Sequence, residues 1–258
     1  MHLTENERKS FVSEGYVVVP DVVSAQLRGP ALRAINAALG TAGSERVANY
    51  VFSGHENCDP LQHAPELLDL LTQSPAFSLA EQLTEAGALV PVSCCQLATR
   101  FPDLGEPWSF PTPHLDGIPN RTNGLPAGVL YPFSVLVGVF LSDVSERQCG
   151  NFVVFPGGHR VVRDYARAHP DGWFDDEGYG PPPMGLPPLA LDNPTEVIAR
   201  TGDVVLAHYE LPHSVAPNMS PNIRYAVYYR LGHRDVRHDW SQLRDLWRCH
   251  PALARYAS

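Results

Sequence analysis

The sequence predicts a mainly β domain with flanking helices, and three observations carry that prediction. From residue 89 to 232 the chain runs as short apolar or alternating segments, broken by clusters of Gly, Pro, Asn and Asp; this is the pattern of strands and turns. The first 88 residues carry helical spacing and helix caps instead. The length, 258 residues, suits one large β domain with helical additions. The expected organisation is a single domain over 1–258: a helical layer (1–88), a β core (89–232) and C-terminal helices (233–258).

Thr4 followed by Glu7 is a capping-box pattern, so a helix of about ten residues should end near Gly15. Tyr16 to Val19 is a short strand. Ser24 caps a second helix with Leu27, Ala31, Ile35 and Leu39 on one face and Pro30 inside it. Further helices are expected over 65–72 and from Pro75, behind Ser74, to about Glu85. Val90 to Phe101 reads as a strand, followed by a loop holding Trp108 and Phe110. Phe133 to Leu141 is a near-continuous apolar run, the pattern of a strand buried on both faces. Asn151 to Phe155 is the next strand, and Val161 to His169 a short helix. Residues 170–194 are irregular and rich in Gly and Pro, yet carry Trp173, Phe174, Tyr179 and Met184; they read as a lid or as a surface insertion. Val197 to Ala199 and Asp203 to His213 supply strands, Ile223 to Leu231 the last one, and 240–247 and 251–256 outer helices. His233, His238 and His250 are expected at the surface.

Composition excludes some classes of function. With 28 acids against 19 bases the net charge is −9, which argues against a nucleic-acid or anionic-membrane partner. No apolar run is long enough to span a membrane. The N-terminus is polar and lacks a signal core. Cys58, Cys94, Cys95, Cys149 and Cys249 have no zinc-like spacing and read as reduced thiols of a cytoplasmic protein. A monomer or homodimer is expected.

One motif carries chemistry. In extended chain, residues two apart share a face, so His114 and Asp116 can aim at one point. His213 is the best candidate for a third ligand. Two imidazoles and a carboxylate on one side of an ion form the facial triad of non-haem Fe(II) oxygenases, with positions left open for co-substrate and O₂. Residues 216–222 are dense in turn formers. Centring a hairpin between Asn218 and Met219 sets 213 opposite 224, with Cβ atoms about 5 Å apart, and brings the Arg224 guanidinium beside the metal, where it suits a carboxylate. His208, five residues before His213, faces the other way; Tyr209 and Leu211 share the His213 face. Gln96, Thr99 and Arg100 are candidates for co-substrate or substrate contact, and Asn151 for facing the cavity. Trp108, Arg121, Tyr131 and Tyr209 are candidates for substrate contact, each with a plainer reading as packing or surface.

In this order His114-x-Asp116, Gly150-Asn151-Phe152-Val153-Val154-Phe155-Pro156-Gly157-Gly158-His159-Arg160, Gly202-Asp203-Val204-Val205, His213 and Arg224 resemble the phytanoyl-CoA dioxygenase family of Fe(II)- and 2-oxoglutarate-dependent oxygenases, from about residue 10 to about 232. The resemblance implies a double-stranded β-helix, a cupin-like jelly roll, with Fe(II) on His114, Asp116 and His213. It places 2-oxoglutarate on Arg224; Gln96 and Asn151, from their places on their strands, are expected as further cofactor contacts. It also implies O₂-dependent conversion of 2-oxoglutarate to succinate and CO₂, coupled to hydroxylation of a C–H bond in a small organic metabolite. The presence of Asp116 favours hydroxylation, desaturation or ring formation over halogenation. One departure is Val215, where many members carry a small polar residue; Ser214 comes one residue early. A cupin-like binding protein without turnover and a metal enzyme independent of 2-oxoglutarate are the alternatives.

Overall fold

The computed structural model describes residues 1–41, 60–105 and 112–256. In chain order it places α1 (Glu5–Glu14), β1 (Tyr16–Val19), α2 (Ala25–Thr41), α3 (Pro65–Thr72), α4 (Ala76–Glu81), β2 (Gln96–Arg100), β3 (Val135–Phe140), β4 (Phe152–Val154), α5 (Gly158–Ala168), β5 (Thr195–Glu196), β6 (Val204–His208), β7 (His213–Val215) and β8 (Arg224–Leu231). Short 3₁₀ turns at Trp240–Arg244 and Pro251–Tyr256 follow.

The capping box forms as the sequence predicts: the Glu7 N–H donates to Thr4 Oγ1 (3.2 Å) and the Thr4 N–H to Glu7 Oε2 (2.6 Å). Gly15 then ends α1 in the left-handed region. Strands β1-β6-β3-β8-β2 make one antiparallel sheet, and β5-β4-β7 a second. Along β3 the side chains alternate between two cores. Val135, Val137 and Val139 join Leu206, Tyr229 and the buried faces of α1–α4. Leu136 and Phe140 join Ala98, Ala226 and Tyr228 of the large sheet and Phe152 and Val154 of the small one. Burial on both faces explains why this strand reads as an unbroken apolar run, each Val or Leu contributing about 1.5–3 kcal/mol. No described helix is long and apolar enough to cross a membrane.

Two expectations about the chain are corrected. The strand expected over 203–213 ends at His208. Tyr209 and Glu210 turn, and Pro212, which has no N–H to donate, precedes a new strand in the other sheet. Consequently 213 and 224 are not hairpin partners. β7 pairs with β4, β8 with β3 and β2, and residues 216–223 carry the chain from one sheet to the other. Second, His233 and His250 are buried (4% and 1% exposed), not at the surface. His250 Nδ1 lies 2.8 Å from the Leu83 carbonyl and its ring packs on Phe11 and His208. A polar residue near a chain end reads as solvated until the packing of that end is known.

His159, His208 and His250 sit together beneath α1, and burial pushes their pKa values down to about 4, 3 and 3. The unfolded chain titrates its imidazoles near pH 6.5. Between those limits it binds protons that the fold refuses, so stability falls as pH falls from about 6.5 to 4, by up to about 1.4 kcal/mol per pH unit for each imidazole. Buried Glu210, with its pKa raised by desolvation, offsets part of this. Urea midpoints at pH 7, 6 and 5 should drop steadily; a flat series would contradict this account.

Candidate metal centre and its cavities

His114 and His213 are brought together by the backbone. An isolated antiparallel bridge pairs them: His114 N–H donates to the His213 carbonyl (2.9 Å), and His213 N–H to that of His114 (3.0 Å). The motif is therefore extended chain held at a single bridge, not a regular strand. Directly opposed residues share a face, and the two rings stand 4.4 Å apart, centroid to centroid. Asp116 returns to that face two residues on. Its Oδ1 lies 3.7 Å from His114 Nε2, and its Oδ2 3.7 Å from His213 Nε2.

Among the described residues these three make the one cluster of His, Cys, Asp or Glu with metal-ligand spacing, their donor atoms all within 4.8 Å of one another. Donors about 2.1 Å from one ion and at right angles stand about 3 Å apart, so the three stand somewhat wider here than they would around a bound ion. The chemistry of the donors fits an ion. Burial, and next the neighbouring His213, lower the His114 pKa to about 3, so its ring is neutral and offers a lone pair. His213 Nδ1 lies 3.0 Å from the Leu211 carbonyl, which fixes the ring with Nε2 towards Asp116. Burial acts to raise the Asp116 pKa, but Arg230 first, then the imidazoles, hold the carboxyl well below the usual range.

Gly117 lets the chain turn away from the ligand. Its φ is +79°, and a Cβ there would stand 2.2 Å from the Tyr131 carbonyl oxygen. That turn is locked by the Tyr131 N–H donating to the Gly117 carbonyl (2.9 Å).

Beside the triad lies a cavity of about 160 Å³ between the two sheets, walled by Leu136, Phe152 and Tyr228 and reached by Arg100, Ser214 and Val215. Arg224 stands in it, 4% exposed. It comes from β8 in the large sheet while His213 comes from β7 in the small one, so the cavity gains Arg224 by sheet packing and not by the expected hairpin register. Its Nε donates to the Gly150 carbonyl (2.8 Å) and Nη1 to that of Ala98 (3.1 Å). Burial lowers its pKa, yet an arginine stays charged. Arg100, the partner of Arg224 across the β2–β8 ladder, lines the same cavity.

A second cavity of about 300 Å³ opens on the other side of His114 and Asp116, rimmed by Asn120, Thr122, Asn123, Leu125 and Met184. Gln96 and Arg230 line it too. Gln96 also lines the first cavity, and its Oε1 accepts from Arg230 Nη2 (2.7 Å).

The remaining expected site residues fall elsewhere. Asn151 is fully buried away from the cavity: its Nδ2 donates to the Val144, Glu146 and Val197 carbonyls and its Oδ1 accepts from the Cys149 N–H. Just before the short strand β4, its amide satisfies backbone groups of the neighbouring turns, which sequence cannot separate from a cavity-facing role. Tyr209 is buried in the inner core, edge-on to Phe133, because the chain turns there and no longer shares the His213 alternation. Arg121 pairs with Asp175 (2.8 Å) and Glu177 (2.7 Å) and lies over Tyr179, so it ties down the 170–194 segment instead of facing the triad. Tyr131 lines a neighbouring groove with Gln96 and Arg230. Trp108 and Phe110 lie outside the described residues. Arg230, which the sequence reading passed over, holds Asp116. Its signal was position: on a strand, 224 and 230 share a face.

Neither a protein-family model nor a curated protein matches the chain. Solved structures do. The non-heme alpha ketoglutarate dependent carbocyclase SnoK from nogalamycin biosynthesis aligns with a TM-score of 0.60 at 22% identity, over 90% of this chain and 85% of that one. The epimerase SnoN, solved with Fe3+, alpha ketoglutarate and nogalamycin RO, aligns with a TM-score of 0.61 at 19% identity, over 90% and 84%. HygX from Streptomyces hygroscopicus, with nickel and 2-oxoglutarate, gives 0.56 at 17%, over 90% and 88%. The chain has the fold of these proteins.

Replacing Gly117 by Ala forces a left-handed backbone and a backbone clash. The variant should lose at least about 2 kcal/mol of stability and misplace Asp116. Urea unfolding and Co(II) uptake measure the two effects; wild-type values for both would show that the turn is not needed.

Proposed function

We propose that this chain is an Fe(II)- and 2-oxoglutarate-dependent oxygenase that hydroxylates a C–H bond of a small organic metabolite, with release of succinate and CO₂. The observation that carries this reading is the convergence of His114, Asp116 and His213 beside a cavity holding the buried Arg224. The core is read as a double-stranded β-helix within a single domain over 1–258, and the two-sheet arrangement and the fold shared with SnoK, SnoN and HygX support that.

When bound, the iron and 2-oxoglutarate supply the O₂-dependent oxidation; the chain supplies placement. Arg224 takes the distal carboxylate of 2-oxoglutarate. With Nε and Nη1 directed by two carbonyls, the guanidinium is held in place where Arg224 lines the cavity. Arg100 adds positive charge from the facing strand. Leu136, Phe152 and Tyr228 keep water from the acid, which strengthens every charge interaction there. The substrate takes the cavity rimmed by 120–125 and Met184, with the 170–194 segment, clamped through Arg121, as its cover. The polar rim suits a small hydroxyl- or amide-bearing molecule acted on by a monomer or homodimer in the cytoplasm, with neither nucleic acid nor membrane as partner.

O₂ consumption and succinate release, each measured with and without 2-oxoglutarate and Fe(II), test the reading. Both should require both additions, even at the low rate seen without substrate. Turnover independent of 2-oxoglutarate would favour a different metal enzyme, and absence of metal-dependent 2-oxoglutarate binding a non-catalytic protein. Arg224→Leu should retain metal and weaken 2-oxoglutarate binding by at least about tenfold, since a desolvated charge pair loses about 2–5 kcal/mol when one partner goes. Unchanged affinity would remove Arg224 from the role.

A further inference from the structure

We propose that Arg230 is a positioning residue for the metal-binding carboxylate, one that makes Asp116 a one-oxygen donor. Two of its nitrogens converge on a single oxygen: Nε donates to Asp116 Oδ2 at 3.0 Å, and Nη2 stands 2.9 Å from the same atom. Asp116 Oδ1 has no such contact to Arg230; it lies 3.7 Å from His114 Nε2, as Oδ2 does from His213 Nε2. Arg230 is itself held. Its Nη2 also donates to Gln96 Oε1 at 2.7 Å, from the neighbouring strand β2. With Oδ2 held by the guanidinium, Oδ1 is the oxygen left free of Arg230 to serve an ion.

This inference rests on the proposed oxygenase reading and adds a constraint to it. A facial triad leaves three positions on a six-coordinate ion. 2-Oxoglutarate, bound through its 2-oxo acid end, takes two, and O₂ needs the third. A carboxylate free to rotate and bind through both oxygens would take one of the three. Arg230 forbids that rotation, because it would break both contacts to Oδ2. The planar fork of arginine can make this two-point contact; the single ammonium of lysine cannot. Asp116 is largely buried, its side chain 13% exposed, so without a metal Arg230 is also its counter-charge.

Arg230→Met and Arg230→Lys, titrated with Co(II) without O₂, test this. The visible Co(II) band reports ligand number, and its change on adding 2-oxoglutarate gives a Kd. Arg230→Met should take up one Co(II), show a band different from wild type, and bind 2-oxoglutarate on the order of tenfold more weakly, the size of effect typical of groups behind metal ligands. Arg230→Lys should fall between. A band superimposable on wild type with an unchanged Kd in Arg230→Met overturns the role. If that variant does not fold by circular dichroism, Arg230→Lys decides alone, and wild-type behaviour in it overturns the role. Wild-type protein that takes up no Co(II), or whose band ignores 2-oxoglutarate, removes the oxygenase reading and this inference with it. Normal wild-type behaviour beside an indistinguishable variant removes only the inference.

Discussion

Two backbone hydrogen bonds between His114 and His213 hold the candidate site together. They join segments about a hundred residues apart at a bridge that, among the described residues, has no ladder between the two segments to share the load. The bridge survives because both segments are fixed on their far sides. Behind His213, β7 pairs with β4, and the Phe155 N–H donates to the Pro212 carbonyl at 3.1 Å. Beyond Asp116, the Gly117 turn closes on Tyr131, which leads into β3. The ligand segments therefore inherit their rigidity from the two sheets, and no side chain of the triad has to hold the backbone itself.

The electrostatics follow from that placement. Asp116, the buried Arg224 and the part-buried Arg230 line the two cavities, where isolated charges would be costly. Each has a local answer. Asp116 is met by Arg230. Arg224 donates to two carbonyls, one of them that of Gly150, where a Cβ would stand 3.2 Å from Arg224 Cβ and where φ is +72°. The glycine that opens the 150–160 segment thus admits the arginine side chain and orients it. Arg230 is already matched by the Asp116 carboxylate; the contacts described for Arg224 are to backbone dipoles, which leaves it the natural seat for an anion.

Much of this could be read in the sequence, for definable reasons. α1, α2 and α3 were legible because caps and apolar spacing are local. The inner strand β3 was legible because burial on both faces leaves no polar residue in it. His114, Asp116 and His213 were legible as a set. The register was not. The sequence shows a turn between 213 and 224, but not that this turn passes between sheets, since the two connections use the same residue types. Arg224 reached the cavity by a route different from the expected one. Asn151 failed for a related reason: a buried amide that satisfies three carbonyls looks, in one dimension, like an amide aimed at a ligand. His250 lies in the core because the last turn of the chain docks under α1, a long-range packing fact with no local mark.

The two cavities differ in what builds them, and so in how firmly their side chains are placed. The smaller cavity is made almost wholly by strands: Ala98, Thr99 and Arg100 from β2, Phe152 from β4, His213 to Val215 from β7, Arg224 and Tyr228 from β8. Strand alternation fixes where those side chains point. The larger cavity is bounded by the irregular 117–125 turn and by Met184, held there through Trp173, whose Nε1 donates to the Gly185 carbonyl and whose ring packs on Trp240. Within the 120–125 turn the polar side chains are already spent on their own backbone: Asn120 Oδ1 accepts from Thr122 and Asn123, and Asn123 Oδ1 from Asn120 and Leu125. Their first task is to shape the loop. If the larger cavity takes the substrate as proposed, selectivity would rest on its outline and the few donors left over, and outline is set by loops whose sequences obey weaker rules than strands do.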